Sequence, residues 1–262
     1  AGEPSPRAVQ LAGADPLALA EAARRNVDLG ADIIDINMGC PAKKVCNVLC
    51  GSALLTDEPL VARILAAVAS AVNVPVTLKT RTGWDRDHRN AVNIARIAEA
   101  SGIAAIAVHG RTRADFYTGD AEYETIRSIK DSVRIPVIAN GDIDTPAKAR
   151  AVLDFTRADS VMIGRAAHGA PWIFRDVNGQ ITSSKKITPL SRSARRDIIL
   201  EHLDSLYAFY GEDTGVRVAR KHLGWYLTKL QHGTELRREL MAAENSSLQF
   251  ALTRRGLDGW AD

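Results

Sequence analysis

The sequence predicts an α/β fold, a TIM-type (β/α)8 barrel lacking its first two β/α units, followed by an all-helical C-terminal domain. Three observations carry this expectation. Short β-rich apolar runs alternate with Ala-rich amphipathic stretches. The runs are apolar on both faces, as parallel strands covered by helices are. Each run also ends on a polar side chain suited to chemistry. An open doubly wound sheet carries ligands only at its switch point, whereas a barrel gathers all its C-terminal strand ends at one mouth. Chemistry at every strand end therefore favours the barrel.

The elements follow in order. "AVQLAG" (8–13) reads as a strand carrying Gln10, and "DPLALAEAARRNVDLG" (15–30) as a helix opened by an Asp cap with Pro and closed by Gly. "IIDINMG" (33–39) carries Asn37 and leads into Cys40, where the backbone must turn between Gly39 and Pro41. "DEPLVARILAAVASAV" (57–72) repeats the capped-helix pattern, and "PVTLKT" (75–80) ends on Lys79. "NAVNIARIAEASG" (90–102) is the next helix and "AIAVHG" (105–110) brings His109. "PVIANGD" (136–142) ends on Asn140, Gly141 and Asp142; "TPAKARAVLDFT" (145–156) and "SVMIGR" (160–165), with Gly164 and Arg165, complete six units.

A full barrel has eight strands in about 250 residues. Barrel enzymes often hold phosphate in the loops after strands seven and eight, where glycines let the backbone approach. "NGD" and "GR" match those two loops, and Arg165 adds a forked cation suited to phosphate. In that register "AVQLAG" is strand three, and strands one and two are expected before Ala1. The chain alone is then expected to carry two bare sheet edges, to aggregate and to hold its cofactor poorly. From Pro189 the pattern is helical only: "SRSARRDIILEHLDSLYAFYG", "GVRVARKHLGWYLTKLQH" and "GTELRRELMAAENSSLQFALTRR". "VNGQITSSKKITPL" (177–190) reads as the linker, dividing a barrel over 1–180 from a helical domain over 189–262.

Composition narrows the class. With 46% apolar and 25% charged residues the chain is ordinary for a globular protein. No apolar stretch approaches the ~20 residues that span a bilayer, so no membrane partner is expected; a cytoplasmic location is expected, and a monomer once the barrel is complete. Residues from Lys185 onward hold 13 Lys/Arg and 10 Asp/Glu, so the whole excess of +3 lies there and the first 184 residues balance at 21 and 21. That asymmetry fits an acidic partner or a solvated helical face. Cys40, Cys46 and Cys50 are an odd number in eleven residues, which argues against a disulfide framework. As zinc ligands they have irregular spacing and no clear fourth partner, so no metal is expected. Cys46 and Cys50 read as small packing residues.

Lys79 ends an apolar strand, where an ammonium needs a partner that gains negative charge. Reduced flavin is such a group, and a lysine reaching to the barrel mouth is the alternative. His109 stands in line to donate to the same cofactor. The Cys40 thiol, lifted to the mouth by its turn, is open to three roles: nucleophile, metal ligand or general acid. No local base favours the first. A thiol with a pKa of about 8.5 carries a proton near neutrality, which suits delivery to carbon.

The motifs "DINMGCPAKKV…GSALL", "VTLKTRTGW", "VHGRTR", "PVIANGDI", "MIGRAAHGAPWIF" and "ARKHLGWYL", in that order, resemble the tRNA-dihydrouridine synthases, nearest to their bacterial DusB branch. The resemblance implies an FMN-dependent oxidoreductase, recharged by NADPH or NADH, that saturates the C5–C6 bond of a uridine in the tRNA D-loop. The branch points to position 17. By the same resemblance Cys40 donates the proton to C5, and Gln10, Lys79, Asn140, Gly141, Asp142, Gly164 and Arg165 hold FMN with His109 close by. Asn37 would contact the base, and Arg111, Arg113 and Tyr117 would face the RNA. Arg217, Arg220 and Lys221, with Lys229, lie near one helix face that would grip tRNA phosphates. A flavoenzyme acting on a free pyrimidine-like metabolite and a non-catalytic RNA-binding fragment are the competing readings. Tight binding of bulk tRNA separates the first, and a flavin absorption band separates the second. The family's first strand and its flavin-contacting loop are not found in this sequence. Cys46 and Cys50 also depart from its pattern.

Overall fold

The computed structural model describes residues 4–47, 49–182, 188–230 and 234–258. The chain divides into two compact units, Ala1–Ile143 with Lys148–Ile163, and Asp144–Ala147 with Gly164–Asp262.

The first unit is a six-stranded parallel sheet of TIM-barrel type. Its strands are β1 (Ala8–Leu11), β2 (Ile33–Met38), β3 (Val76–Arg81), β4 (Ala105–His109), β5 (Val137–Asn140) and β6 (Ser160–Met162). They pair strictly in chain order, all parallel. Helices connect them: α1 (Pro16–Asp28), the short α2 (Lys43–Cys46), α3 (Glu58–Ala71), α4 (Ala91–Ala100), α5 (Glu124–Lys130) and α6 (Pro146–Thr156), with a 3-10 turn over Gly51–Thr56.

The caps read from the sequence are built as such. Asp15 accepts from the Ala18 N–H at 2.7 Å and Asp57 from the Leu60 N–H at 2.9 Å, each with Pro in the first turn. Each cap satisfies a donor that a helix start leaves orphaned, worth about 1 kcal/mol. Helix α5 was not anticipated. Its seven residues, ETIRSIK, mix charges into so short a segment that periodicity has little to register.

Strand side chains alternate between two faces. One face buries Ile34, Ile36, Met38, Val76 and Leu78, and the helices bury Val61, Ile64, Leu65, Val68 and Ile94. Each fully buried aliphatic side chain contributes about 1.5–3 kcal/mol. The register lines the opposite face with three rows: Gln10, Asp35, Thr77 and Ala105; then Asn37, Lys79, Ala107, Ile138 and Ser160; then Arg81, His109, Asn140 and Met162. This inner face is polar where the outer one is oily.

The second unit is helical, with α7 (Ile173–Thr182), α8 (Arg192–Tyr210), α9 (Glu212–Leu230), α10 (Thr234–Ala242) and α11 (Ser246–Asp258), after a 3-10 turn over Arg165–Ala167. Leu203 and Leu206 of α8 pack with Ala219, Leu223 and Leu227 of α9 and Leu240 of α10. A Cβ on Gly215 would stand 3.0 Å from the Tyr207 Cα, so glycine permits this close helix approach.

Three expectations are corrected here. The segment 177–190 is not linker throughout: Val177–Thr182 complete α7, burying Ile173 and Val177, while 183–187 lie outside the described residues. The segment 233–255 is not one helix. Asn245 accepts from the Leu248 N–H at 2.8 Å and caps a new helix, while Glu212 accepts from the Ser246 N–H and hydroxyl. Residues 231–233, which fall between α9 and α10, lie outside the described residues. The predicted strand over 160–165 ends at Met162, so Arg165 sits in the 3-10 turn.

Candidate active site

The inner face holds a hydrogen-bonded ladder that ends on the backbone N–H of Cys40. Asp35 accepts from Gln10 Nε2 at 2.6 Å and from Thr77 Oγ1 at 2.6 Å. Gln10 Oε1 in turn accepts from Asn37 Nδ2 at 2.8 Å. Asn37 Oδ1 then takes two backbone N–H groups, those of Gly39 and Cys40, each at 3.0 Å. This is an Asx-type turn, and it sets the direction in which the chain leaves β2. The Cys40 carbonyl accepts from the Ser52 N–H at 3.1 Å and from Cys46 Sγ at 3.6 Å. Gly51, at φ +61°, is required there because a Cβ would come within 2.8 Å of the Cys40 carbonyl oxygen.

Arg81, only 1% exposed, braces the same turn from β3. Its Nε donates to the Gly39 carbonyl at 2.8 Å, and its Nη1 donates to the Thr112 and Phe116 carbonyls at 2.9 and 2.7 Å. The guanidinium also lies 5.4 Å from the Tyr117 ring centre. One buried fork thus joins the cysteine turn to the loop after β4.

Lys79 stands between Asn37 and Ala107 in the register. Among the described residues its ammonium has no hydrogen-bond or ion-pair partner. Burial first, and the Arg81 charge second, push its pKa down to about 8 against the pull of Asp35. Burial, then the charges of Arg81, Lys79 and Arg111, push His109 down to about 3, with Asp142 opposing. His109 is therefore a neutral imidazole. Arg111 Nη1 lies 3.2 Å from His109 Nε2. A guanidinium has no acceptor, so Nε2 carries the lone pair and Nδ1 the proton.

Arg111 is 3% exposed. Its Nη2 donates to Asp142 at 2.6 Å and to the Gly119 carbonyl at 2.5 Å, and its Nε donates to the Thr118 carbonyl at 3.2 Å. Asp142 further accepts from the Ala121 N–H at 2.8 Å. The pair thus props the loop over residues 110–121. Arg113 stacks over Trp84 with 4.4 Å to the ring centre, and its Nε is buried without a hydrogen-bond partner among the described residues. Tyr117 is 55% exposed. Asn140 Nδ2 donates to the Met162 carbonyl at 2.8 Å, and Gly141 at φ +127° takes a conformation and a space that a Cβ would lose to Ala121.

Of the residues singled out from sequence, Gln10, Asn37, Lys79, His109 and Asn140 share one face of the first unit. Asp35 and Arg81 belong with them but escaped notice. Gly164 and Arg165 lie in the second unit. So do the helical cations: Arg217, Lys221 and Lys229 are exposed on α9, whereas Arg220 is half-buried and donates to the Ala243 carbonyl at 3.0 Å. Trp225 completes a stripe at steps of four with Arg217, Lys221 and Lys229, and Lys221 Nζ lies 4.9 Å from its ring centre.

The profile of the dihydrouridine synthase (Dus) family matches residues 1–255. This chain belongs to the dihydrouridine synthase family. A protein of Pseudomonas aeruginosa named tRNA-dihydrouridine synthase B is 59% identical over 97% of this chain and 76% of its own length. Its namesakes in Xanthomonas axonopodis pv. citri and Vibrio parahaemolyticus are 60% and 50% identical, covering 98% and 100% of this chain and 78% and 80% of their own. A dipeptide epimerase structure from Enterococcus faecalis V583 superposes over 59% of this chain and 37% of its own at TM-score 0.43 and 16% identity, too loosely to bear on the reading. Dihydrouridine synthases are oxidoreductases by the reaction their name describes. Among the described residues, no helix of this member is long and apolar enough to cross a membrane.

Proposed function

We propose that this dihydrouridine synthase reduces a D-loop uridine of tRNA to 5,6-dihydrouridine, with FMN as cofactor, NADPH or NADH as reductant, and Cys40 as proton donor. The observation that carries the reading is a cysteine on a built turn just past β2 together with Lys79 on the inner face of β3, whose ammonium has no hydrogen-bond or ion-pair partner among the described residues. The residues present fit a flavin. An ammonium held down to about 8 gains a partner when an anion arrives, and the His109 Nδ1–H is a donor that stays neutral at working pH. Gln10, Asn140, Gly141 and Asp142 are the residues of the first unit proposed to hold FMN.

When bound and reduced, FMN supplies the hydride that reaches C6 of the uracil. Lys79 would stabilise negative charge on the bound cofactor, and the His109 Nδ1–H would donate to it while the imidazole stays neutral. Cys40 quenches the charge developing at C5 of the uracil: its S–H bond breaks, a C5–H bond forms, and the thiolate recovers a proton from solvent. Asn37 keeps Gly39 and Cys40 in register, and Arg81 keeps that turn from drifting. The thiol is thereby positioned before substrate arrives, which is where much of a catalytic advantage resides. Extracting the base from its stack costs a few kcal/mol. Phosphate contacts from Arg217, Lys221 and Lys229 offset that cost, with Arg113 and Tyr117 proposed to meet the RNA from the loop after β4.

Cys40→Ala tests the assignment. Flavin absorbance and affinity should be retained, while single-turnover formation of dihydrouridine on tRNA should fall by about 10²–10⁴-fold, the usual worth of a positioned acid. A single-turnover rate within a few-fold of the parent's would remove Cys40 from the mechanism.

A further inference from the structure

Asp35 takes no part in the reaction above, yet the order of the ladder beside Cys40 begins at its carboxylate. It stands on β2 opposite Gln10 of β1 and Thr77 of β3. One oxygen accepts from Gln10 Nε2 and the other from Thr77 Oγ1, both at 2.6 Å, short as bonds to an ionised acceptor are. An ionised carboxylate only accepts, and a backbone N–H only donates. The ladder therefore runs between two ends of fixed character, the Asp35 oxygen and the N–H groups of Gly39 and Cys40.

Gln10 and Asn37 fill the space between those ends, and each carboxamide has a donating and an accepting side. One arrangement satisfies every junction. Gln10 Nε2 faces Asp35, Asn37 Nδ2 donates to Gln10 Oε1 at 2.8 Å, and Asn37 Oδ1 accepts both N–H groups at 3.0 Å. Turning over either amide, or both together, sets like against like at two junctions. With the Asp35 acceptor gone, both amides can turn together at the cost of one such junction, and the Gly39 and Cys40 N–H groups then meet the Asn37 NH2. The carboxylate thus doubles the mismatches that guard the turn. Thr77 serves a different end. Its hydroxyl can donate or accept, and it holds the carboxylate without entering the ladder.

We propose that Asp35 is a positioning residue for the reduction: it fixes which way the Gln10 and Asn37 carboxamides point, and through Asn37 it holds the turn that presents Cys40. Its effect on the turn stands apart from the role proposed for Cys40; only its effect on reduction rests on that role. Asp35 also pulls on the Lys79 charge, and a purely electrostatic function has a different signature. Two variants tell them apart. Asp35→Asn loses the charge but keeps the order, because Oδ1 still accepts from Gln10 while Nδ2 donates to the Thr77 hydroxyl. Asp35→Leu loses charge and acceptor together at nearly the same size.

The full chain and its variants are compared by amide hydrogen exchange at Gly39 and Cys40, by the iodoacetamide alkylation rate of Cys40, and by single-turnover reduction of uridine on tRNA. Trypsin cuts at Lys43 and Lys44 and so delivers Cys40 apart from Cys46 and Cys50. Asp35→Leu should speed exchange at both amides severalfold, the scale of about one lost hydrogen bond. It should also change the Cys40 alkylation rate and slow reduction severalfold, with the tRNA concentration for half-maximal rate unchanged. Asp35→Asn should match the parent in exchange and alkylation and recover most of the reduction rate. Thr77→Val, which removes a bond to Asp35 of the same length but leaves the ladder whole, should match the parent in exchange and alkylation. Gln10→Leu breaks the ladder one step further on and should repeat the exchange and alkylation changes; it takes the place of Asp35→Leu if that chain does not fold. Parent-like exchange and alkylation in the leucine variants overturn the proposal. Asp35→Asn as damaging as Asp35→Leu overturns it in favour of charge, and Thr77→Val as damaging overturns it in favour of a stitch between strands. A disturbed turn with an unchanged reduction rate overturns the positioning role. A Cys40→Ala chain that still reduces uridine refutes the reading of Cys40, and the exchange rates at Gly39 and Cys40 still decide the ladder.

Discussion

Lys79 is costly to the folded chain on its own. Its pKa is 10.5 as a free side chain and about 8 in place. Below pH 8 the ammonium is charged in both folded and unfolded states, so the full cost of burying it is present. Between 8 and 10.5 the folded state sheds the proton first and the unfolded state binds more, so stability rises with pH across that window. Lys79→Met should therefore raise the melting temperature of the flavin-free chain at pH 7 by a few degrees, at roughly 2–4 °C per kcal/mol for a chain of this size. The gain should shrink toward pH 10.5, and FMN affinity should drop. No gain at pH 7 would mean that the ammonium is already compensated. His109 has the same sign at the other end. It is neutral down to about 3 in place against 6.5 when free, so the chain should lose stability as pH falls from 6.5 toward 3. His109→Asn should flatten that acid limb, read by calorimetry at successive pH values. Much of this inner face was legible because Gln10, Asn37, Lys79, His109 and Asn140 interrupt apolar strands. Asp35 and Arg81 carry the same signal, each two residues from a residue already noticed, but attention to strand ends passed over the alternation that puts them on one face.

Among the elements, the loop after β4 depends on one ion pair. Arg111 is nearly fully buried, and its fork is divided among Asp142 and the Thr118 and Gly119 carbonyls. Arg111→Ala leaves Asp142 without its cation and two carbonyls without a donor. The cost should lie near the lower end of about 3–5 kcal/mol for breaking a buried pair, because Asp142 keeps some contact with water; a urea midpoint that stays put would show that the loop closes without it. The chain text "HGRTR" marks Arg111 and Arg113 alike as basic loop residues, and nothing in it distinguishes the buried brace from the one stacked on Trp84. That difference depends on where Asp142 arrives, 31 residues later. The helices were more legible at their starts than at their ends. Asp-Pro caps are local chemistry, whereas the break between α10 and α11 relies on Glu212, 34 residues before Ser246, to take up two donors. Asn245→Ala should cost about 1 kcal/mol through loss of its cap, measurable by denaturant unfolding.

On the scale of the whole molecule, charge divides as the units do. The residues from Lys185 onward carry the net +3, and α9 offers the exposed cations Arg217, Lys221 and Lys229, with the half-buried Trp225 among them, at steps of four, close enough to the helical period to keep them on one side. Arg220 belongs to the same sequence cluster but is occupied by the Ala243 carbonyl, so its substitution tests folding rather than binding. A solvated helix would carry such cations without any partner, and the two cases differ in what salt does. Each phosphate neutralised by a protein cation releases condensed counterions, so affinity falls with salt at a slope set by the number of contacts. Arg217→Ala with Lys221→Ala should weaken binding to all tRNAs alike and reduce the log–log salt slope by roughly one to two units. Because both side chains are exposed, the melting temperature should hold. Arg220→Ala should instead lower the melting temperature and leave the slope alone. A slope unchanged in the double variant would return Arg217 and Lys221 to the solvated face and move the search for phosphate contacts to Arg113 and the loop after β4.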